Sequence, residues 1–245
     1  MLLDPSALAI VAALGIVAAV VGGMGGFGTG IILTAALAPF IGVKAVIPVL
    51  AVAGAIINGG RFWFYRHSLD RPTLALVLAC ALPFLVLGTW IYSVLDARAI
   101  GTVLGLVVIA SVPLRRALNR RRIALGTTGL AVGSAVFGLA SGVASGAGVI
   151  MVSLLLGTGM AGPAVLATDA MISIALDVCK AALFQRFALL DEQTFVTGIV
   201  IGVATIPGSA IAAWLVNKMH AHLHVLFMEG LILIGGASLL WNSWR

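Results

Sequence analysis

The sequence predicts an all-α polytopic membrane protein, made of two inverted-topology repeats with glycine-broken helices at the centre. Only 9% of the 245 residues are charged and 62% are hydrophobic, whereas a soluble domain carries about 25% charged residues. Apolar stretches of about 20 residues recur along the chain, a length typical of spanning helices rather than barrel strands. Glycine clusters occupy similar places in both halves. These observations exclude a soluble enzyme, a nucleic-acid reader and a disordered tail.

Five of the ten predicted helices are long enough to cross about 30 Å of hydrocarbon, and two are too short to do so. The long ones are 43–65, 72–95, 162–187, 191–216 and 221–244. The short segments, 27–40 and 147–159, each follow a glycine cluster. We expect helices over 5–21, 27–40, 43–65, 72–95, 97–114, 123–140, 147–159, 162–187, 191–216 and 221–244.

A basic run sets the predicted orientation and the division of the chain. Five of the fourteen Lys and Arg residues lie in 115–122, which the positive-inside bias predicts to be a cytoplasmic loop. Docking of an acidic lipid or a partner is the alternative use of this run. The loop separates a first repeat, 1–114, from a second repeat, 123–245. Counting crossings from it places both termini outside a cell (inner or plasma) membrane. The net charge of +6 is therefore explained by cytoplasmic loops. We expect contact with the lipid bilayer and no binding of nucleic acid.

The two halves match when the chain is compared with itself at an offset of 120 residues. A further shift of one residue brings Asn58 opposite Asp177 and Arg61 opposite Lys180. Duplication with inverted topology is a transporter architecture. The matched pairs include Gly22 with Gly142, Gly26 with Gly146, Gly28 with Gly148, Gly42 with Gly162, Phe64 with Phe184, Arg66 with Arg186 and Gly88 with Gly208.

The glycine clusters, 22–30 and 138–148, predict helices interrupted at mid-depth. GxxxG packing between helices is the alternative explanation, but six glycines in nine residues at 22–30 cost a helix about 1 kcal/mol each. Unpaired N–H groups at the start of the following helix form an anion site. The predicted substrate-binding residues of the clusters are Gly25, Gly26, Phe27, Gly28 and Thr29 in the first, and Ser141, Ser145, Gly146, Ala147 and Gly148 in the second.

Ionisable residues inside predicted spans are costly and therefore functional candidates. An anionic substrate needs a cation, which Lys180 or Arg61 is predicted to supply. The predicted anion site also includes Asn58, on the same helix as Arg61. The alternatives are that Asp177 and Lys180 merely neutralise each other, that Arg61 snorkels to the surface and that Asp169 is interfacial. Asp169, Asp177 and Glu229 are the predicted proton-coupling residues.

These segments resemble the TauE/SafE sulfite-exporter family of membrane permeases over essentially the whole chain. The resemblance depends on Gly22–Gly30 followed by Pro39 and Gly42, and on Gly138–Gly148 followed by Gly162. It implies transport of small sulfur anions such as sulfite, sulfoacetate or related sulfonates. The chain departs from the family where a proline is common early in each short helix, since Thr34 and Ser153 stand there.

The predicted function is secondary transport of a small sulfur-containing anion by alternating access. A passive anion channel of the same fold is one alternative. An intramembrane serine protease is another, suggested by Ser141-Gly142 and Ser145-Gly146, but Leu139 and Val143 stand where that pattern needs glycine. We expect no enzymatic activity and no cofactor. We also expect no metal site, because the alternating spacing of His220, His222 and His224 is poor for one helical face. The oligomeric state is left open.

Overall fold

The chain is all-α over the part that the computed structural model describes, which is 5–23, 28–120, 125–216, 230, 233–241 and 244. A short 3-10 helix, Arg66–Ser68, joins the third and fourth α-helices, and residues 233–241 are also helical. The helical fold class is confirmed. The helices are α1 (Pro5–Gly23), α2 (Gly28–Ile41), α3 (Val43–Tyr65), α4 (Arg71–Val94), α5 (Ala97–Arg120), α6 (Thr127–Val143), α7 (Gly148–Gly157), α8 (Pro163–Arg186) and α9 (Glu192–Val216).

The starts of α3, α4 and α8 follow from local sequence signals. Gly42 and Gly162, a matched pair of the predicted repeat, precede α3 and α8 with φ angles of 79° and 60°, a region that favours glycine. Asp70 caps α4, since its side chain accepts a hydrogen bond from the Thr73 N–H at 3.1 Å. The turns that deliver the chain into these three helices are therefore encoded locally.

Helices α3 and α8 lie side by side at the centre and run antiparallel. Near the end of α3, Arg61 forms an ion pair with Asp169 near the start of α8. Near the start of α3, Val46 and Ile47 share a buried cluster with Phe184 near the end of α8. Each central helix thus meets its counterpart from the other half.

The outer helices exchange partners between the halves. Helix α1 packs against α9, and α4 packs against α6. Gly208 lies against Ile16 and Ala19, while a Cβ on Gly138 would meet the backbone of Ala81. Each half's first helix therefore packs on the other half's fourth helix, as a two-fold relation would require. The inverted topology itself stays a prediction.

Two predicted helix boundaries are wrong. Helix α5 continues to Arg120 rather than ending at 114, because Arg, Leu and Ala are strong helix formers and nothing in 115–120 breaks a helix. Helix α6 runs over Thr127–Val143, not 123–140. Gly138 and Gly142 therefore lie inside a helix, and the packing explanation is correct for both of them.

Helix lengths agree with the predicted division into long and short segments. Within the described residues, Val43–Ser68 and Arg71–Val94 are long and apolar enough to cross a membrane, with mean hydropathies of 1.7 and 2.4. By contrast, α2 has 14 residues and α7 has 10, or about 21 and 15 Å at the rise of an α-helix. Neither short helix spans the hydrocarbon by itself.

Candidate functional site

A cavity of about 1180 Å³ lies between the two halves, bounded by α2, α3, α6, α7, α8 and α9. The predicted site residues whose side chains the structure describes all line it. Glu229, Gly25, Gly26 and Phe27 lie outside the described residues, and Gly28 is the first residue of α2. The lining residues from the prediction are Thr29, Asn58, Arg61, Ser141, Ser145, Gly146, Ala147, Gly148, Asp169, Asp177 and Lys180.

The second glycine cluster contains a true break between α6 and α7. Helix α6 ends at Val143, and Ala144 is extended, with φ −146° and ψ 159°. Gly146 has a φ of 101°, and α7 begins at Gly148 without a side-chain cap from any described residue. The first turn of a helix has N–H groups with no intrahelical acceptor, and they carry the positive end of the helix dipole. This end of α7 lies at the cavity wall.

The start of α2 is in contact with this break at the cavity wall. A Cβ on Gly30 would lie 2.5 Å from the Ser145 hydroxyl oxygen, and a Cβ on Gly146 would meet the Ile31 side chain. Helix α1 ends at Gly23 and packs against α2. The starts of the two short helices are therefore brought to one place.

Four charged side chains and one amide form a continuous polar chain on the cavity wall. Arg61 donates to the Asp169 carboxylate at 2.8 Å and to the Asn58 carbonyl oxygen at 3.3 Å. The Asn58 amide donates to Asp177 Oδ2 at 3.4 Å, and Lys180 lies 2.7 Å from Asp177 Oδ1. The order of contacts is thus Asp169, Arg61, Asn58, Asp177, Lys180.

This arrangement decides between the alternative roles left open by the sequence. Arg61 does not snorkel away from its helix neighbours but pairs with Asp169, and 28% of its side chain is exposed. Asp169 is buried within the protein, with 3% of the residue exposed. Asp177 and Lys180 do form the expected neutralising pair, but the same two residues also line the cavity.

Gly54 and Ser173 are cavity residues that the sequence interpretation missed. A Cβ on Gly54 would collide with the Asp177 carboxylate, so this glycine makes room for it. Helical spacing from the predicted residues could have found both, because residues three or four apart share a helix face. One face of α8 carries Asp169, Ser173, Asp177 and Lys180, and the facing side of α3 carries Gly54, Asn58 and Arg61.

The family comparison agrees with this geometry. The sulfite exporter TauE/SafE family model matches residues 11–239 of the chain. The chain belongs to the TauE/SafE family. No curated protein and no solved structure shows significant similarity to it.

The TauE/SafE family is a family of membrane-integral anion exporters and not of enzymes, and this protein is one of its members. The serine protease alternative is therefore excluded. Ser141 and Ser145 line the cavity, but the described residues that line it include no histidine to act as a base. His220, His222 and His224 lie outside the described part of the TauE/SafE chain.

Proposed function

We propose that the protein exports a small sulfur oxyanion, sulfite or an organic sulfonate such as sulfoacetate, by alternating access across the cell membrane. The anion binds in the cavity between the start of α7, the start of α2 and the cations Arg61 and Lys180. The observation that carries this proposal is the uncapped start of α7, which lines the same cavity as these two cations. Backbone N–H groups at a helix start together with a buried cation form an oxyanion site.

The charge balance of the cavity supports proton coupling. Arg61 and Lys180 are paired with Asp169 and Asp177, so the ionised side chains among the described lining residues sum to zero charge. An anion entering this buried, neutral site adds a negative charge that costs free energy unless a proton enters too. We therefore propose that a proton moves with the anion through one of the buried carboxyl groups.

The two ends of the cavity support a carrier rather than a passive channel. At one end the lining residues are exposed, Phe64 at 81% and Tyr65 at 38%. Towards the start of α3 the lining includes Ile47, and behind it Tyr92 and Phe184 belong to the same buried cluster and pack edge to face at 5.3 Å. The Tyr92 hydroxyl also donates to the Val43 carbonyl at 3.1 Å. A path that is open at one end and packed at the other fits alternating access.

The proposed orientation places 115–122 in the cytoplasm and both termini outside, since basic residues prefer cytoplasmic loops. The turn that holds Arg66, His67 and Arg71 is then cytoplasmic as well. Under this orientation the exposed end of the cavity faces the cytoplasm, which suits the loading of an exported anion.

The test is anion flux in proteoliposomes carrying Lys180→Met. We expect this variant to lose sulfite and sulfonate flux, because it removes a buried cation from the cavity. Lys44→Met is the matched control, since Lys44 is exposed and does not line the cavity. Removing Lys180 alone leaves the Asp177 charge buried, which costs about 3–5 kcal/mol. The double variant Lys180→Met/Asp177→Asn therefore separates folding from binding.

Flux of the double variant at the level of the unaltered protein would remove Lys180 from the anion site. No saturable flux of sulfite, thiosulfate, sulfoacetate or taurine by the unaltered protein would contradict the proposed substrate class. Flux that does not saturate and does not respond to a pH gradient would favour the channel alternative.

A further inference from the structure

The two buried carboxylates of the cavity differ in how their oxygens are bonded. Both oxygens of Asp177 have a partner, Lys180 at 2.7 Å and Asn58 at 3.4 Å. Asp169 accepts a bond from Arg61 through Oδ2 at 2.8 Å, but its Oδ1 is buried and has no hydrogen-bond partner among the described residues. Buried polar atoms are nearly always bonded, so an orphaned carboxylate oxygen needs an explanation.

We propose that Asp169 is the proton-binding residue of the transport cycle, and that Arg61 alternates between Asp169 and the anion. This inference rests on the proposed function and specifies which carboxyl group couples the proton. Asp169 lines the cavity, so its carboxyl group lies beside the space that the anion would occupy. A protonated Oδ1 becomes a donor that can bond an oxyanion oxygen.

Each step keeps charge and protons in balance. A proton from water bonds to Asp169 Oδ1 and neutralises the carboxylate, which weakens its ion pair with Arg61. The guanidinium then binds the entering monoanion, so the loaded site is neutral again. When the anion leaves, the proton returns to water and the pair of Asp169 with Arg61 reforms. One proton therefore accompanies each monovalent anion.

The groups around Asp169 are compatible with this role. From α3 it meets Arg61, and along its own helix it faces Asp177 and, beyond it, Lys180. From the segment before α4, the Asp70 N–H donates to the hydroxyl of Thr168, the neighbour of Asp169. Arg66 and His67 of the 3-10 helix, which packs against α8, are exposed. Arg61 is thus the cation in direct contact with Asp169 among the described residues, and Asp177 is bonded elsewhere.

The experiment measures proton uptake on anion binding by the full-length protein in weakly buffered detergent solution. Methanesulfonate is the probe beside sulfite, because its own charge does not change near neutral pH. We expect about one proton per anion bound, and an affinity that falls about tenfold per pH unit once Asp169 is ionised. Asp169→Asn should take up no proton and bind with an affinity independent of pH.

The double variant Lys180→Met/Asp177→Asn is the matched control, because it removes the other ion pair as a whole and keeps the site neutral. Its weaker binding should still be accompanied by about one proton per anion. Asp169→Glu keeps a carboxyl group and should restore proton uptake, which guards against a folding defect in Asp169→Asn. Uptake by Asp169→Asn equal to that of the unaltered protein would overturn the inference, as would binding without proton uptake by the unaltered protein. Failure of the unaltered protein to bind any tested anion would contradict the proposed function, and this inference with it.

Discussion

At the scale of single residues, the cavity is organised by which charges are paired inside it. The ion pairs of Arg61 with Asp169 and of Lys180 with Asp177 are largely buried. Removing one partner of such a pair is far more costly than the pair is stabilising, because the remaining charge stays buried. Both cations can therefore serve an anion only if their carboxylate partners are neutralised or displaced at the same time.

Gly54→Ala tests whether the Asp177 carboxylate needs the space beside α3. A Cβ at Gly54 would collide with that carboxylate, whereas nothing lies within 4 Å of a Cβ at Gly59 on the same helix. Both variants gain about 1 kcal/mol of helix propensity. We expect Gly59→Ala to raise the melting temperature in detergent, and Gly54→Ala to lower it and to weaken anion binding. Equal behaviour of the two variants would contradict this packing.

The sequence predicted the identity of the cavity residues better than their pairing. Polar residues inside apolar spans are conspicuous by their cost, so Asn58, Arg61 and Asp169 were found from sequence alone. The pair of Asp177 with Lys180 lies within α8 and follows from their spacing of three residues. The pair of Arg61 with Asp169 joins residues 108 positions apart, and it depends on how α3 and α8 pack, which no local pattern encodes.

At the scale of helices, glycines of one cluster have different roles. Gly138 and Gly142 lie inside α6, where a Cβ would meet the backbone of α4, so they permit close packing. Gly146 lies in the break, with positive φ. Sequence alone could not separate these roles, because packing and chain reversal both favour glycine.

Gly146→Ala should destabilise the protein through both backbone and packing. Its φ of 101° costs an alanine about 1–2 kcal/mol, and its Cβ would meet Ile31, which adds about 1–3 kcal/mol for overpacking. Gly159→Ala, at a φ of 87° in open space, should incur only the backbone cost. Thermal unfolding in detergent compares the two variants. A smaller loss for Gly146→Ala than for Gly159→Ala would rule out the contact with Ile31.

Asp191, the residue before α9, should make the stability of the protein depend on pH. Its side chain accepts from the Thr194 N–H at 2.8 Å, and this bond is the main reason that the pKa of Asp191 is lowered. A carboxyl group whose pKa is lowered in the folded state stabilises the fold fully at pH values above its unfolded pKa of about 3.9. This stabilisation is lost as the pH falls through the pKa of the folded state.

Asp191→Ala should therefore destabilise by about 0.5–2 kcal/mol at neutral pH, as for other lost helix caps. Its loss should shrink as the pH falls below about 4. Asp191→Asn keeps a cap that does not titrate, so its stability at neutral pH should be close to that of the unaltered protein. Melting temperatures measured against pH test this, and an Asp191→Ala loss that is the same at all pH values would contradict it.

At the scale of the whole molecule, one matched pair of the predicted repeat has opposite environments. Phe64 lines the cavity and is 81% exposed, whereas Phe184 does not line it and is fully buried against Tyr92. If the two halves exchange conformations during transport, these side chains should exchange environments too.

Single cysteines at Phe64 and Phe184, in a background with Cys80 and Cys179 replaced by alanine, test this exchange. A membrane-impermeant maleimide present on both sides of the membrane should modify Phe64→Cys rapidly and Phe184→Cys slowly in the absence of anion. Under transport conditions, modification of Phe184→Cys should speed up while that of Phe64→Cys slows. Rates at both positions that are unaffected by sulfite and by a pH gradient would contradict alternating access.

The sequence by itself determined the class of protein, the positions of the helices and the residue types of the cavity. Those properties follow from composition, apolar length and the free-energy cost of placing charge or glycine inside a span, all of which are local. Only the tertiary structure decided which glycines of 138–148 break a helix, that the starts of α2 and α7 meet at Gly30 and Ser145, and that Asp169 keeps one carboxylate oxygen without a partner among the described residues. These depend on contacts between residues far apart in the chain, whose geometry is fixed by the packing of the two halves.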